Sequence, residues 1–366
     1  MKKLICLILL LFLFSTPVLA EKETYTEQYK ASGAEGLQDI LPDSAKDFFT
    51  DKEINPENYD WVNSITAENI FTEILDFLKK GGMEPLRAAS GMFGIVIIYA
   101  ASALSDRLKK HKATLSYIFM LTTASGVLLP MFSIISSVSS AVKGSATFMT
   151  AFIPVYAGIL TVGGQSVTAS GMSFLLLFAA EAVTLLASFI IVPLMSAYLG
   201  MGLVSGIMPN GSAVALGETI KKAALWLFSL SLTVFLGILS IQTAVNADAD
   251  NAGLKAFKFV LGSLVPVAGS ALNESMTTLT SSLKLLKSSV GMYGVLAVGL
   301  TALPVVIELL LWRLSLFLVS AVSELFGVQE GIKLFKCADC VLSTLVGILL
   351  FTASLFIISL AVVTNT

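Results

Sequence analysis

The sequence predicts an all-α, polytopic helical membrane protein, and three observations carry that prediction. The 366-residue chain is 55% hydrophobic and only 13% charged, against roughly 45–50% and 25% in ordinary soluble domains. Its charge is segregated: 15 of the 25 acidic residues lie between Glu21 and Glu84, while only 24 of the 279 residues from Ala88 to Thr366 are charged. Finally, the strip Asp106-Arg107-Leu108-Lys109-Lys110 recurs as Glu218-Thr219-Ile220-Lys221-Lys222 and as Glu330-Gly331-Ile332-Lys333. Both steps are 112 residues, and each copy is followed by a long apolar run. A fixed period of this kind implies one structural unit used repeatedly.

Residues 1–20 have the pattern of a secretory signal peptide. Lys2 and Lys3 form a basic start, Leu4 to Phe14 an apolar stretch, and Val18-Leu19-Ala20 a small-residue cleavage site. Cleavage between Ala20 and Glu21 leaves residues 21–85 as a short acidic segment on the extracytoplasmic side. That segment reads as a solvated tether or a partner-docking surface, because it is too small and polar to promise a core of its own. Within it, Ile70, Phe71, Ile74, Leu75 and Leu78 have amphipathic helical spacing.

Residues 86–366 form the predicted multispan domain. Ala88–Leu104 enters from outside and meets the basic loop Arg107–Lys112, which the bias of Lys and Arg toward the cytoplasm assigns to that side. Thr114–Ile135 returns. Lys221-Lys222 and Lys333 with Lys336 precede the apolar Ala223–Val245 and Val341–Val363, so all three basic strips are expected in one compartment. Each unit then crosses an even number of times, which makes the repeats parallel rather than inverted. Pro154 and Pro266 keep the 112 step, as do Lys143 and Lys255. The repeat units run about 141–252 and 253–366, with a partial first unit before them. The acidic stretch Asn246–Asn251 reads as an outside loop, and the C-terminus as lying outside too.

Inside each full unit lies a Pro/Gly-interrupted apolar piece, Phe148–Val162 and Phe257–Ala271, followed by Ser/Thr-rich sequence. Pro154 to Gln165, with Gly163 and Gly164, and Pro266 to Glu274, with Gly269 and Asn273, therefore read as broken helices. Freed backbone groups at such breaks can line a pathway, while small residues there can equally serve close packing. The apolar runs Gly171–Met208 and Ser288–Val328 are each two short spans, or a span plus an interfacial helix.

Two carboxylates interrupt those runs. A charge at the bilayer centre costs about 2.5–3.5 kcal/mol on insertion scales, so Glu181 and Glu308 face either a polar pathway or a protein neighbour. Glu308 has Arg313 nearby in sequence as one possible partner. Catalysis is not expected: the one histidine, His111, lies in a basic loop, and no HExxH, GxGD or GxxxxGK[ST] motif is present. Cys337-Ala338-Asp339-Cys340 lacks the ligand set of a structural zinc site and reads as two thiols near a membrane surface. Neither a metal nor a cofactor is expected, and a net charge of −2 gives no basis for binding nucleic acid.

At Leu160-Thr161-Val162-Gly163-Gly164-Gln165-Ser166, and again at Leu264-Val265-Pro266-Val267-Ala268-Gly269-Ser270 with Leu283–Lys287 and Val290-Gly291, the chain resembles the stage III sporulation protein AE family of endospore-forming bacteria. The likeness extends to the signal peptide and to Ala34-Glu35-Gly36-Leu37 and Leu41-Pro42 in the acidic segment. The resemblance implies a non-enzymatic component of the channel or secretion-like complex that links mother cell and forespore and supports late forespore gene expression. It implies a place in the mother-cell-derived outer forespore membrane, with the N-terminal segment extracytoplasmic. The partners it implies are other stage III sporulation membrane proteins, a cytoplasmic ATPase and a forespore membrane protein across the intermembrane space. The lipid bilayer and further copies of the chain complete the expected set. The alternative function is a stand-alone secondary transporter using Glu181 or Glu308.

Overall fold

A computed structural model describes residues 22–57, 59–79, 83–104, 111–186, 192–207, 212–264 and 269–364. The expected signal peptide with its Ala20/Glu21 junction lies outside these residues, as do the basic strip Asp106–Lys110 and Pro266. Every regular element described is helical. The N-terminal segment contains α1 (Lys22–Ala31), α2 (Asp43–Asp51) and α3 (Ala67–Phe77), with single 3-10 turns at Ala34–Leu37 and Asp60–Asn63. The body consists of α4 (Glu84–Leu104), α5 (Lys112–Val162), α6 (Ser166–Leu185), α7 (Val192–Ile207), α8 (Ser212–Leu264), α9 (Gly269–Leu325) and α10 (Gln329–Thr364). Six of these, all but α7, contain stretches long and apolar enough to cross a membrane.

Contacts between named residues give the helix directions. Tyr99 of α4 stacks on Phe119 of α5, with ring centroids 4.4 Å apart, while Met92 lies beside Gly126, so α4 and α5 are antiparallel. Gly144 faces Thr301, and Tyr156 reaches the Lys287 carbonyl, so α9 runs against α5. Ser116 pairs with Glu330 at 3.4 Å and Tyr156 with Thr364 at 2.8 Å, which makes α10 parallel to α5. The starts of α5 and α10 therefore share one end of the bundle, and Lys333 lies there. Lys222 and Asp250 are separated by 28 residues of continuous helix, or about 42 Å. With Asp250 at the Tyr156 end, Lys222 falls toward the Lys333 end as well.

The most buried helix is α10. It packs against α5, α7, α8 and α9 and buries Leu334, Phe335, Leu342, Leu345, Leu349, Phe356 and Leu360, among others. Helices approach closely where a side chain is missing: a methyl group at Gly294 would fall 2.7 Å from the Phe152 ring. Exposed apolar side chains form an oblique belt. On the α5/α9 flank it occupies the half nearer Lys333 (Tyr117, Ile118, Leu121, Leu129, Phe132; Leu310, Leu314, Phe317). On the α6/α8 flank it reaches toward the Tyr156 end (Phe174, Phe178; Ile238, Ile241, Val245). Helices inclined to a bilayer can keep more than the roughly 30 Å of a perpendicular crossing in apolar contact.

Several expectations about breaks are corrected. α5 is one helix of 51 residues with Pro130 and Pro154 inside it, so Phe148–Val162 is not an interrupted piece. Proline removes one backbone hydrogen bond and crowds the preceding turn, but Pro154 projects outward while Phe152, Ile153, Tyr156, Ile159 and Leu160 are buried, and their packing holds the helix together. Asn246–Asn251 is not a loop but part of α8. Ser288–Leu325 belongs to the single helix α9, continuous through Pro304, whereas 171–208 is shared between two helices, α6 and α7.

The N-terminal segment is neither a tether nor free. Tyr25, Tyr29, Leu37, Leu41, Phe48, Phe49, Ile54 and Trp61 are buried, and α1 and α2 pack on α9. Tyr25 donates to the Pro56 carbonyl at 2.8 Å and Tyr29 to the Ala34 carbonyl at 2.7 Å. Burial pushes both phenols above the ordinary tyrosine range, so they stay neutral donors. Phe49 and Trp61 close on Tyr293 of α9, and the Ser32 carbonyl lies against Gly158 of α5. Both contacts place this segment at the Tyr156 end.

Candidate functional site: a clasped helix corner

The α5–α6 corner concentrates more polar contacts between distant helices than any other described region. α5 stops by a Schellman motif: Gln165 N–H donates to the Leu160 carbonyl at 2.8 Å and Gly164 N–H to the Thr161 carbonyl at 3.0 Å. The motif requires a left-handed residue, and Gly164 supplies it at φ 79°. This is the physical content of the Gly163-Gly164 pair, a helix stop rather than an unwound stretch.

α6 begins at once, and its own cap residue, Gln165, makes no capping bond. The cap comes from another helix. Asp250 of α8, 6% exposed, accepts from Val167 N–H and Thr168 N–H at 3.0 Å each, one through each carboxylate oxygen. A carboxylate is well placed there because it satisfies orphan amides and meets the positive end of the helix dipole. The Gln165 side chain turns instead to α9, where Lys287 Nζ donates to its Oε1 at 3.3 Å. Lys287 is only 8% exposed. One turn below, the Tyr156 hydroxyl sits between the Lys287 carbonyl and the Thr364 hydroxyl of α10. Four helices, α5, α8, α9 and α10, are thus tied to one corner.

The other sequence candidates are not gathered here. Gly269 opens α9, and Asn273 and Glu274 lie in its first turns, so the second Pro/Gly segment does not reproduce the Gly163–Gln165 stop over the described residues. Glu181 is exposed on α6. Glu308 is half-buried, with Glu84 as its charged neighbour. Arg313 does not pair with Glu308: its Nε donates to Asp339 Oδ1 of α10 at 2.7 Å. Cys337 and Cys340 are buried thiols not joined in a disulfide, and Cys337 Sγ donates to the Tyr198 carbonyl of α7 at 3.8 Å. Asp250, Lys287, Tyr156 and Thr364 escape sequence reasoning. The one available signal is that Asp250 and Lys287 are charges at the margins of apolar runs.

Chemically the corner is a clamp. Its carboxylate is occupied by backbone amides and its ammonium by an amide oxygen, which leaves no nucleophile–base pair in contact. Among the described residues no group of three His, Cys, Asp or Glu could hold a metal ion.

No solved structure matches the chain. A curated relative, stage III sporulation protein AE of Bacillus subtilis (strain 168), is 27% identical over 233 residues, which is 63% of this chain and 57% of that protein. The match thus spans little more than half the relative's length. The sequence model of stage III sporulation protein AE matches residues 62–366, which takes in the last two residues of the 3-10 turn Asp60–Asn63, α3 and the whole helical body. On that coverage, the chain belongs to the stage III sporulation protein AE family.

Proposed function

We propose that this protein is a multi-pass, non-enzymatic component of the sporulation channel or secretion-like complex that connects mother cell and forespore, needed for late forespore gene expression. The observation that carries the proposal is the family match over residues 62–366. The fold is compatible with it: the folded N-terminal segment and Thr364 share one end of the bundle and the starts of α5 and α10 the other. In the proposed setting the Tyr156 end faces the intermembrane space of the outer forespore membrane, where a forespore membrane partner would meet it. The Lys333 end faces the mother-cell cytoplasm and the complex's ATPase. Other stage III membrane proteins and further copies of the chain would pack around the bundle. An in-frame deletion in the native sporulating host tests the role. Engulfment is expected to finish while a late forespore reporter stays silent, and the full chain supplied in trans restores it. A reporter of normal strength in the deletion strain would reject the proposal.

The carboxylates separate this role from a stand-alone transporter. Glu181 is exposed on α6 and Glu308 is half-buried on α9 beside Glu84, and among the described residues neither belongs to a group of three His, Cys, Asp or Glu that could hold an ion. Glu181→Gln and Glu308→Gln, singly and together, are expected to sporulate at wild-type frequency, and purified protein in liposomes to show no proton-coupled uptake. Loss of sporulation in the double variant with normal protein levels, together with coupled uptake by wild type, would favour the transporter.

A further inference from the structure

α3 has a clean division of faces. At about 100° per residue, Ile70, Phe71, Ile74, Leu75 and Leu78 fall on one side and Glu68, Thr72, Glu73, Asp76 and Lys79 on the other. Its apolar side is not fully covered by the protein: Phe71 is 59% exposed, Leu75 37%, and Met83, just before α4, 43%.

The helix that follows fixes the height at which this face lies. The register of α4 on α5, Tyr99 at Phe119 and Met92 at Gly126, runs back to place Glu84 near Ile134. At that height the outward side of α5 changes character. Toward the Lys333 end it exposes Ile118, Leu121, Leu129 and Phe132, with Thr122 and Ser125 between them donating back to helix carbonyls; toward the other end, Ser133, Ser136, Ser140, Lys143 and Thr147. On α9 the exposed Leu310, Leu314 and Phe317 likewise give way to Glu308, beside Glu84. Two helices of one flank, α5 and α9, thus agree on where apolar surface stops, and Glu84 opens α4 at that height, next in sequence to α3 with its open apolar face.

We propose that α3 is an interfacial helix whose Phe71 and Leu75, with Met83 just before α4, bed into the leaflet at the Tyr156 side of the membrane, next to the entry of α4. The partner is a lipid surface. The inference rests on α4 being a membrane span, not on the sporulation role, so it stands or falls separately. An amphipathic helix with aromatic and aliphatic residues on one face and charges on the other has the composition for this position.

Nitroxide labels on the full chain in nanodiscs of phosphatidylethanolamine and phosphatidylglycerol test it. Cys6, Cys337 and Cys340 are replaced by alanine, and cysteine is introduced one site at a time (F71C, E73C, L75C, D76C). Power saturation is expected to show oxygen access with exclusion of a nickel chelate at positions 71 and 75. The sign of that ratio should reverse at 73 and 76. Nickel access at 71 and 75 equal to that at 73 and 76 would mean a water-facing helix and overturn the proposal. Exclusion of both reagents at 71 and 75 would mean a protein cover, a second copy included, and overturn it equally. If the cysteine variants do not assemble, Phe71→Trp with brominated lipid gives an independent reading. Added quenching over wild type supports the lipid contact, and unchanged quenching rejects it.

Discussion

Replacing Tyr293 with alanine is expected to detach residues 22–66 from the bundle. Tyr293 is fully buried in α9 yet most of its specific contacts belong to the N-terminal segment. Phe49 meets its ring edge-on at a centroid distance of 4.7 Å, Trp61 closes a second side at 6.4 Å, and its hydroxyl donates to the Leu37 carbonyl at 3.4 Å. Truncating a buried aromatic side chain to alanine typically costs about 3–5 kcal/mol, from lost transfer free energy and the cavity left behind. Here much of that loss falls on docking, because the segment's own apolar residues have little other surface to cover. Limited proteolysis in detergent should cut within residues 22–66 of Tyr293→Ala while leaving the helical body intact. Tyr293→Phe keeps both ring contacts and loses only a long hydrogen bond, so its protection should match wild type. Gly158→Val approaches the same interface from α5. Its Cβ would stand 2.8 Å from the Ser32 carbonyl oxygen, a backbone atom that cannot swing aside, so it should expose the segment in the same way. A segment equally protected in Tyr293→Ala and Gly158→Val would show that neither contact holds it.

That segment also shows where sequence reasoning stops. Hydropathy and the basic strips are enough to mark apolar stretches within α4, α5, α8, α9 and α10, though not the continuity of α5 or α9, because crossing a bilayer is a property of composition over some twenty residues. Burial of Tyr25, Phe48, Phe49 and Trp61 is different: the surface they cover is supplied by α9, more than 200 residues away, and leaves no periodic trace in the segment itself. Pro154 misled for a related reason. A local rule predicts a break, but the buried opposite face of α5 decides the outcome. Gly163-Gly164 was legible as a break because a left-handed helix stop has a local, glycine-specific signature. What the break is for was not legible, since Asp250 and Lys287 reach it from two other helices. Asp248 and Asp250 read as loop residues for the same reason that makes Asp250 useful: a charge beside apolar sequence looks like a boundary unless its partner is known.

The second large effect is expected at that partner. Asp250→Ala removes the acceptor of two amides, Val167 N–H and Thr168 N–H, at a helix start where Gln165 offers no substitute. A buried donor left unsatisfied costs about 1–3 kcal/mol, and loss of an ordinary N-cap about 0.5–2 kcal/mol. The corner is therefore expected to lose a few kcal/mol, within the sum of such effects. Asp250→Asn keeps one acceptor oxygen and gives up the charge that meets the helix dipole, so it should fall between alanine and wild type. Hydrogen exchange separates a local from a global reading. If the carboxylate clamps the corner, amides at the start of α6 lose protection in Asp250→Ala while those of α10 below Leu349 keep theirs. Lys287→Met tests the other arm of the clasp: it removes the ammonium that donates to Gln165 Oε1 without touching the Asp250 cap, so it should loosen α9 at Tyr156 and leave Val167 and Thr168 protected. Unchanged exchange at Val167 and Thr168 in Asp250→Ala would mean the helix start is held by packing alone, with the trans cap contributing nothing to the corner.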